Sequence, residues 1–312
     1  MKALMISNDP KILEEGSAVR ARATEYAKHF DELHMLYVTG RSFSHSPFAA
    51  VKAGEKILRE RGFGPDDLIT VQDPFLTASA GARLKKRFGS RLEIQIHTDI
   101  GSPYYAKEKF TNKIRLWSAR KNIPHADHIR VVSERIKRFL IDAKCLRVLA
   151  DKIEVRPIFV DTEKIKNTPI TADLRKKYPQ FKKIILMASR LTHEKDIPTA
   201  LRAFALVRER TPDSGLIIVG SGPLKFAPTK NVIFENWADQ STLFSYYKTA
   251  DIFLSTSRYE GYGMSMVEAH AAGCPVVATD AGVAPQIAEK VCPVGDVDCL
   301  AEGLLSVIER HI

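Results

Sequence analysis

Two carboxylates in the second half of the sequence have a spacing that suits the binding of hydroxyl groups. Glu260 and Glu268 lie eight residues apart in the stretch EGYGMSMVEAHAAGCP, which follows the apolar run Ile252–Leu254. Apolar residues after Gly263 recur at three- and four-residue steps, and Gly273 followed by proline is a helix stop. We therefore expect Glu260 on a strand-to-helix loop and Glu268 about one turn inside the helix. Ionised carboxylates are strong acceptors, so the pair can hold the hydroxyls of a sugar and of a ribose.

The glycine-containing segment between the two carboxylates predicts an anion site. Backbone N–H groups at a helix N-terminus have no partner within the helix, so a diphosphate can rest on them. The residues expected to contact it are Gly261, Tyr262, Gly263 and Met264. The alternative is that one glutamate caps the helix and the other faces solvent.

Arg190 and Lys195 lie on a loop between a predicted strand and a predicted helix, where they can supply positive charge. A departing diphosphate develops negative charge, which fixed cations stabilise. Arginine can grip two oxygens at once, whereas lysine supplies a point charge. The alternative is that both are ordinary surface cations.

Strand-like and helix-like segments alternate along almost the whole chain. This alternation predicts the α/β class, with parallel sheets covered by helices on both faces. In the first half, strands are expected at Ala3–Ser7, Leu33–Val38, Leu68–Val71, Leu92–Ile96 and His128–Val132, and a long helix at Glu108–Asn122. The pattern breaks near residue 160, which we take as the domain boundary. It then restarts with strands at Ile184–Ala188, Leu216–Val219, Val232–Phe234 and Ile252–Leu254.

The stretch from Glu260 to Pro275 resembles the E-x7-E motif of retaining glycosyltransferases, and is most similar to that of glycosyltransferase family 4. ASRLTHEKD at 188–196 is similar to the family's GRLxxEKG, although Ser189 and Asp196 replace usual glycines, and GSGP at 220–223 matches its GxGP turn. The resemblance implies the GT-B fold, in which two Rossmann-like, doubly wound parallel-sheet domains face a cleft. Residues 1–160 would form the acceptor-side domain, and residues 161–312 the domain that binds the nucleotide sugar.

The resemblance also implies roles for residues outside the E-x7-E stretch. His97, in QIHTD, lies where the family places a histidine against the donor sugar, although a lone histidine can also be structural. Gly16 lies on a loop that reaches the donor phosphates in the family, or its neighbour Ser17 simply caps the next helix. Gly222 is expected to pack closely beside the nucleotide. Trp237 either stacks on the base or fills the core.

Further carboxylates in the sequence have open or structural interpretations. Asp99 can orient His97 or serve as a nucleophile, and Asp73 can meet the acceptor or cap the next helix. Asp296 and Asp298 form a D-x-D pair that opens the final helix, where Asp296 is expected as the N-cap. No metal is therefore predicted.

The first half of the sequence carries the whole excess of positive charge. The net charge is +10, and residues 1–150 hold 27 Lys and Arg against 17 Asp and Glu. This asymmetry points to an anionic partner. Basic residues alternate with Phe110, Ile114 and Trp117 at helix spacing, and Arg83–Arg87 adds four more cations. The pattern predicts either a surface that meets anionic lipid headgroups or a solvated helix face.

Composition is that of a soluble globular protein, without a run of 18 apolar residues. The four cysteines, Cys145, Cys274, Cys292 and Cys299, show no CxxC spacing, so reduced thiols in a cytoplasm are expected. Relatives usually continue with a helix that crosses back onto the first domain, whereas this sequence stops at Ile312, after a predicted final helix.

The sequence thus predicts a metal-independent, retaining hexosyltransferase that needs no cofactor besides its nucleoside-diphosphate sugar donor. The expected catalytic residues are His97, Arg190, Lys195 and Glu260. The acceptor is expected to be lipid-linked or a precursor of a cell-surface glycan, so the enzyme would serve cell-envelope polysaccharide biosynthesis. It would be cytoplasmic and peripheral at the inner face of the cell membrane.

Two other functions fit parts of the sequence. A nucleotide-sugar epimerase can use the same fold, because fold does not determine function. A basic α/β module that binds nucleic acid would explain the charge, but it would not explain the Arg, Lys and Glu set, and no recognised nucleic-acid motif is present. No nucleic-acid partner is therefore expected.

Overall fold

The computed structural model describes residues 1–38, 47–143 and 148–310. The chain divides into two compact units, Met1–Pro157 and Ile158–Ile312. Within the described residues, each unit contains one six-stranded sheet in which neighbouring strands run parallel. The predicted α/β class with two doubly wound parallel sheets is confirmed.

In the first unit, the strands follow the order β2-β1-β3-β4-β5-β6 across the sheet. These strands are β1 (Lys2–Ser7), β2 (Glu32–Tyr37), β3 (Leu68–Val71), β4 (Arg91–Ile96), β5 (His128–Val131) and β6 (Ile153–Val155). The helices are α1 (Ala18–Ala27), α2 (Pro47–Glu60), α3 (Leu76–Phe88), α4 (Pro103–Glu108), α5 (Phe110–Asn122) and α6 (Glu134–Asp142).

In the second unit, the order across the sheet is β12-β11-β10-β7-β8-β9. The strands are β7 (Lys183–Ala188), β8 (Ser214–Val219), β9 (Val232–Glu235), β10 (Ile252–Ser255), β11 (Val276–Thr279) and β12 (Lys290–Cys292). The helices are α7 (Thr162–Asn167), α8 (Leu174–Lys177), α9 (Ile197–Arg210), α10 (Gln240–Thr249), α11 (Met264–Ala271), α12 (Ala284–Ile287) and α13 (Val297–Arg310).

The second sheet is buried on both faces, which explains why its strands read as continuous apolar runs. Alternate residues of β7 belong to different cores. Ile185 and Met187 pack with residues of α9 and α13, whereas Ile184 and Leu186 pack with residues of α10 and α11. All six residues of β8 are buried.

The strand order fixes where loops can meet. In the second sheet, β7 continues to β8 on one side and pairs with β10 on the other. Loops that leave neighbouring strands in opposite directions open a crevice at the carboxyl ends, which is where ligands bind in open α/β sheets. In the first sheet the corresponding point lies between β1 and β3.

One helix and one pair of cysteines differ from the expectations. The helix expected at Glu108–Asn122 starts two residues later, at Phe110, because the backbone of Lys109 is extended (φ −147°, ψ 145°) between α4 and α5. Cys292 and Cys299 form a disulfide across the turn between β12 and α13, so the expectation that all thiols are reduced is wrong. Cys274 is free and buried, and Cys145 lies outside the described residues.

The start of α13 agrees with its sequence. The Asp296 carboxylate accepts a hydrogen bond from the Cys299 N–H at 3.0 Å, so the predicted N-cap is confirmed. In the described part of the chain, no helix is long and apolar enough to cross a bilayer.

Candidate active site

Lys195 and Glu260 meet at the carboxyl edge of the second sheet. Lys195 ends a short 3-10 turn, His193–Lys195, on the loop after β7, and Glu260 lies on the loop after β10. Because β7 and β10 are neighbours, the two loops are adjacent, and the Lys195 ammonium forms an ion pair with Glu260 Oε1. Both side chains are mostly buried, with 13% and 16% of their surface exposed. The Ser257 hydroxyl also donates to Glu260 Oε1, at 2.9 Å.

A second set of contacts locks these two loops together. The Thr256 hydroxyl donates to the carbonyl of Lys195 at 2.8 Å, and the Arg258 N–H donates to the carbonyl of Glu194 at 2.7 Å. The Arg258 guanidinium reaches both carboxylate oxygens of Asp196, at 3.1 and 3.2 Å. Sequence reasoning missed this pair. The sequence feature that could have revealed the pair is the acidic residue at position 196, where the family usually has glycine.

Asp196 shows why that position usually carries glycine. Its backbone is left-handed (φ 48°), a conformation that other residues adopt at a cost. The side chain accepts hydrogen bonds from Arg258 and from the Thr199 hydroxyl, the latter at 3.0 Å. These bonds offset the strained backbone and keep a 4% exposed carboxylate paired.

Arg190 does not join the Lys195–Glu260 pair directly. Its guanidinium contacts Glu194 at 3.0 Å, and its side chain is 69% exposed. Lys195 and Glu260 are therefore in direct contact, whereas Arg190 lies on the same loop with a different partner.

Glu268 lies inside α11, and its carboxylate is largely withdrawn from water. The hydroxyl of the fully buried Tyr247 donates to Glu268 Oε2 at 3.3 Å. Burial raises the pKa of Glu268, and the bond from Tyr247 only partly offsets this. A desolvated carboxylate of this kind gains strongly from additional hydrogen-bond donors such as a pair of hydroxyls.

The N-terminus of α11 depends on a glycine. Gly263 has φ 99°, and a Cβ there would lie 2.3 Å from the Met266 Cε atom. Gly263 has no side chain to cap the helix, so backbone N–H groups of the first turn are left to other acceptors. Gly261, Tyr262 and Met264 lie next to it.

Gly222 allows two loops to approach closely, and its packing beside the nucleotide stays a prediction. A Cβ at Gly222 would lie 2.3 Å from the carbonyl oxygen of Leu191, on the loop after β7. The Leu191 N–H donates to the carbonyl of Ser221 at 3.0 Å. Trp237 is 68% exposed, so it does not fill the core, and its stacking on a base stays a prediction.

In the first unit, His97 follows β4 and is half-buried. Its Nε2 lies 3.2 Å from Gln95 Oε1. The buried Asp99 accepts a hydrogen bond from the Gly101 N–H at 3.1 Å.

The loops after β1 and β3 also meet. The Asn8 amide donates to Asp73 Oδ2 at 3.1 Å, and the Phe75 N–H donates to Asp73 Oδ1 at 2.7 Å. Burial raises the pKa of Asp73. The N-cap of α3 is Phe75, so Asp73 joins two loops and is not the cap itself. Ser17 does cap α1, accepting from the Arg20 N–H at 3.1 Å beside the exposed Gly16.

No group of three or more His, Cys, Asp or Glu side chains in the described ranges is placed to hold a metal. Metal independence stays a prediction.

Two family models match the chain, one in each half. The model described as Glycosyltransferase Family 4 matches residues 13–164, and the model described as Glycosyl transferases group 1 matches residues 171–311. The first match covers most of Met1–Pro157 and the first seven residues of the second unit, and the second match lies wholly within Ile158–Ile312.

Curated relatives match parts of the chain. The GDP-mannose-dependent alpha-(1-6)-phosphatidylinositol monomannoside mannosyltransferase of Mycobacterium tuberculosis is 31% identical over 155 residues, which is 44% of this chain and 40% of the relative. The alpha-monoglucosyldiacylglycerol synthase of Streptococcus pneumoniae is 34% identical over 105 residues, 31% of this chain and 24% of the relative. The chain spans less than half the length of these two relatives.

A solved structure shares the fold of the whole chain. Anabaena HepE in complex with UDP-glucose superposes with a TM-score of 0.72 and 19% identity, covering 100% of this chain and 90% of the other. At this level of identity, the likeness concerns the fold alone.

Proposed function

Because the chain belongs to glycosyltransferase family 4 and has the GT-B fold, we propose that it transfers a hexosyl group from a nucleoside-diphosphate sugar to an acceptor with retention of anomeric configuration. The observation that carries the proposal is the ion pair of Lys195 and Glu260 on the loops between β7, β10 and the N-terminus of α11. A cation, a carboxylate and open helix N–H groups are the three kinds of group that a sugar linked to a diphosphate requires.

Donor binding would exchange the partners of this pair. The Lys195 ammonium passes from Glu260 to the diphosphate, and the Glu260 carboxylate accepts hydrogen bonds from sugar hydroxyls. Glu268 accepts bonds from two ribose hydroxyls, which would relieve its poor solvation. The diphosphate rests on the N–H groups between Gly261 and Met264, and Trp237 stacks on the base.

The chemical step breaks the bond between the anomeric carbon and the diphosphate oxygen. The acceptor oxygen forms its bond on the same face of the sugar, and its proton passes to the leaving phosphate. Lys195 stabilises the charge that develops on the leaving group, and Arg190, with its exposed guanidinium, can turn from Glu194 to help. His97 contacts a sugar hydroxyl. The step is proposed to need no metal ion.

The first domain would bind the acceptor, and its helices α3 and α5 suit an anionic membrane surface. The two helices carry four Lys and Arg residues each and no Asp or Glu. On α5, Phe110 and Trp117 are 74% and 58% exposed, and the Lys121 ammonium lies 3.8 Å from the centre of the Trp117 ring. Exposed aromatic residues among cations are typical of proteins that lie at the lipid headgroups.

A groove lies between α3 and α5. Its volume is about 800 Å³, and Arg83, Lys86, Trp117 and Lys121 contribute to its lining. We propose that the protein is cytoplasmic and peripheral at the inner face of the cell membrane, where the lipid surface is negative. A lipid-linked acceptor or a cell-envelope glycan precursor fits this position.

The proposal is tested by binding and turnover together. We expect one of a panel of UDP-, GDP- and ADP-sugars to raise the melting temperature of the full chain, because a ligand that binds only the folded state stabilises it. With that donor, Lys195→Ala should lower kcat by about 100-fold, as the loss of a group that stabilises transition-state charge does. Lys176→Ala, an exposed lysine in the same domain, is the matched control.

Two outcomes would contradict the proposal. If Lys195→Ala turned over the donor as fast as Lys176→Ala, the ion pair would have no part in the reaction. If an altered sugar nucleotide formed without any acceptor, the protein would be an epimerase and not a transferase.

A further inference from the structure

Strand β4 carries Glu93 and Gln95 at alternate positions, and therefore on one face of the sheet. His97, the residue directly after the strand, continues this alternation. Glu93 and Gln95 are only 5% and 2% exposed. A central parallel strand is normally apolar on both faces, and a buried polar group is costly unless it is hydrogen-bonded. Glu93 and Gln95 must therefore be hydrogen-bonded for their burial to be tolerated.

Glu93 is held as an acceptor by four neighbours. Its Oε1 accepts from the Thr70 hydroxyl at 2.8 Å, the Tyr26 hydroxyl at 3.1 Å and the Gln95 amide at 3.0 Å. Its Oε2 lies 3.0 Å from His128 Nδ1. Burial alone would raise the pKa of Glu93, but the bonds from His128, Thr70 and Tyr26 outweigh it and lower the pKa to about 2. The carboxylate is thus ionised at neutral pH.

An ionised carboxylate fixes the orientation of the Gln95 amide. Since Glu93 can only accept, the group of Gln95 that faces it must be the NH₂, which also donates to the Thr70 hydroxyl at 2.9 Å. The Gln95 Oε1 then points the other way, 3.2 Å from His97 Nε2 and 3.5 Å from Arg130 Nη1. A flipped amide would set oxygen against a carboxylate and NH₂ against a guanidinium.

The orientation of the Gln95 amide determines which nitrogen of the His97 ring carries a proton. A carbonyl oxygen only accepts, so His97 Nε2 must carry a proton where it meets Gln95. We propose that Glu93 and Gln95 are positioning residues that hold His97 in the tautomer with its proton on Nε2. In the neutral ring with its proton on Nε2, Nδ1 is an acceptor.

This inference rests on the proposed function only for the contact between His97 and the sugar. Charged groups that surround the chain of hydrogen bonds are His128 and Arg130 on β5, with Glu154 of β6 lying 3.3 Å from His128 Nε2. Glu93 and Gln95 are buried, so both act through His97.

The tautomer can be read directly by NMR. Long-range ¹H–¹⁵N spectra of the ligand-free, full-length protein at pH about 8.5, two units above the ordinary histidine pKa, separate the two neutral tautomers. The His97 signals are assigned by their loss in His97→Gln, since the chain has nine histidines. We expect one tautomer with Nε2 protonated. A mixture, or the Nδ1-protonated form, would overturn the inference.

Variants separate positioning from general damage to the fold. Gln95→Met removes the carbonyl but keeps the side-chain length, and Glu93→Gln removes the carboxylate that orients the Gln95 amide, leaving only the longer contact with Arg130 to favour one orientation. Both should give a mixed tautomer. Thr70→Val removes a neighbouring hydroxyl but leaves the Glu93–Gln95 bond, so it should keep the wild-type pattern. A single Nε2-protonated tautomer in folded Gln95→Met would refute the role of Gln95.

Turnover supplies an independent readout. Partners that orient a functional histidine are worth on the order of 10- to 100-fold in metal sites, and we expect Gln95→Met to lower kcat by about tenfold. In the His97→Gln background it should have no further effect. An equal loss in both backgrounds would show that Gln95 does not act through His97. Failure of the wild type to transfer sugar would refute the proposed function and leave the tautomer result standing.

Discussion

Glu268 is a residue whose burial disfavours its charged form. Its carboxylate is buried in α11 and has the Tyr247 hydroxyl as donor. Burial raises its pKa above the value in the unfolded chain, so the unfolded state releases the proton more readily. The stability that this carboxyl contributes is therefore complete below the unfolded pKa and is lost as the pH rises through the higher pKa of the folded state.

Because the pKa of Glu268 is raised in the folded state, replacing its carboxyl should have opposite effects on stability and on donor binding. Glu268→Gln should melt at a higher temperature than the wild type at pH about 8, with the difference shrinking toward pH about 4. The same variant should bind the donor about 10- to 100-fold more weakly, the worth of hydrogen bonds to a charged group. Thermal melts and donor titrations across this range provide the measurement.

Glu302, an exposed glutamate on α13, supplies the control for Glu268. Glu302→Gln should change neither the melting temperature nor the affinity for the donor. If Glu268→Gln bound the donor as tightly as Glu302→Gln, the ribose contact would be ruled out.

At the level of elements, the loops after β7 and β10 behave as one piece. Arg258 holds Asp196 through two hydrogen bonds, and Thr256 holds the backbone of Lys195. The two loops carry the two members of the ion pair, so the Arg258–Asp196 contact holds together the loops on which Lys195 and Glu260 meet.

Removing one partner should cost more than removing both. Arg258→Ala leaves the Asp196 carboxylate buried without its cation, and we expect a loss of about 2 kcal/mol in the free energy of unfolding. Asp196→Gly removes the charge and the left-handed strain together, so its cost should be smaller. The double variant should resemble Asp196→Gly in urea denaturation.

An exposed ion pair serves as the reference for the loss in the free energy of unfolding. Arg210 contacts Glu309 at 3.2 Å with both side chains exposed, and Arg210→Ala should change stability by less than about 1 kcal/mol. If Arg258→Ala were equally mild, the two loops would not depend on this contact.

The elements also show what a sequence can and cannot predict. Apolar runs located the strands because both faces of the sheet are buried, as in β8. The break at Lys109 was missed, since neither glycine nor proline marks it. The contact between Lys195 and Glu260 needed the pairing of β7 with β10, which alternation of strands and helices does not reveal. The contact between Arg258 and Asp196 joins residues 62 positions apart that no motif links.

For the whole molecule, charge is distributed by domain. Residues 1–150 hold 27 Lys and Arg against 17 Asp and Glu, which accounts for the net +10. On α3 and α5 this excess lies beside the exposed Phe110 and Trp117. A lipid surface with negative headgroups and an apolar interior offers partners to both kinds of group.

Vesicle sedimentation tests this surface. The protein should bind vesicles that contain phosphatidylglycerol and not pure phosphatidylcholine vesicles, and added salt should release it. Trp117→Ala should weaken binding by about tenfold, as the loss of a buried aromatic side chain does. Phe159→Ala, a 78% exposed aromatic in the other unit, is the control. Equal binding to both kinds of vesicle would contradict an electrostatic membrane surface.

The ion pair of Lys195 and Glu260 also affects which anions can inhibit the protein by competing with the proposed donor. Inorganic phosphate can offer Lys195 a new partner, but it leaves the mostly buried Glu260 without a cation, which is costly. A sugar attached to a diphosphate replaces both partners in one binding event. We therefore expect simple phosphate anions, although abundant in cells, to be poor inhibitors of this protein.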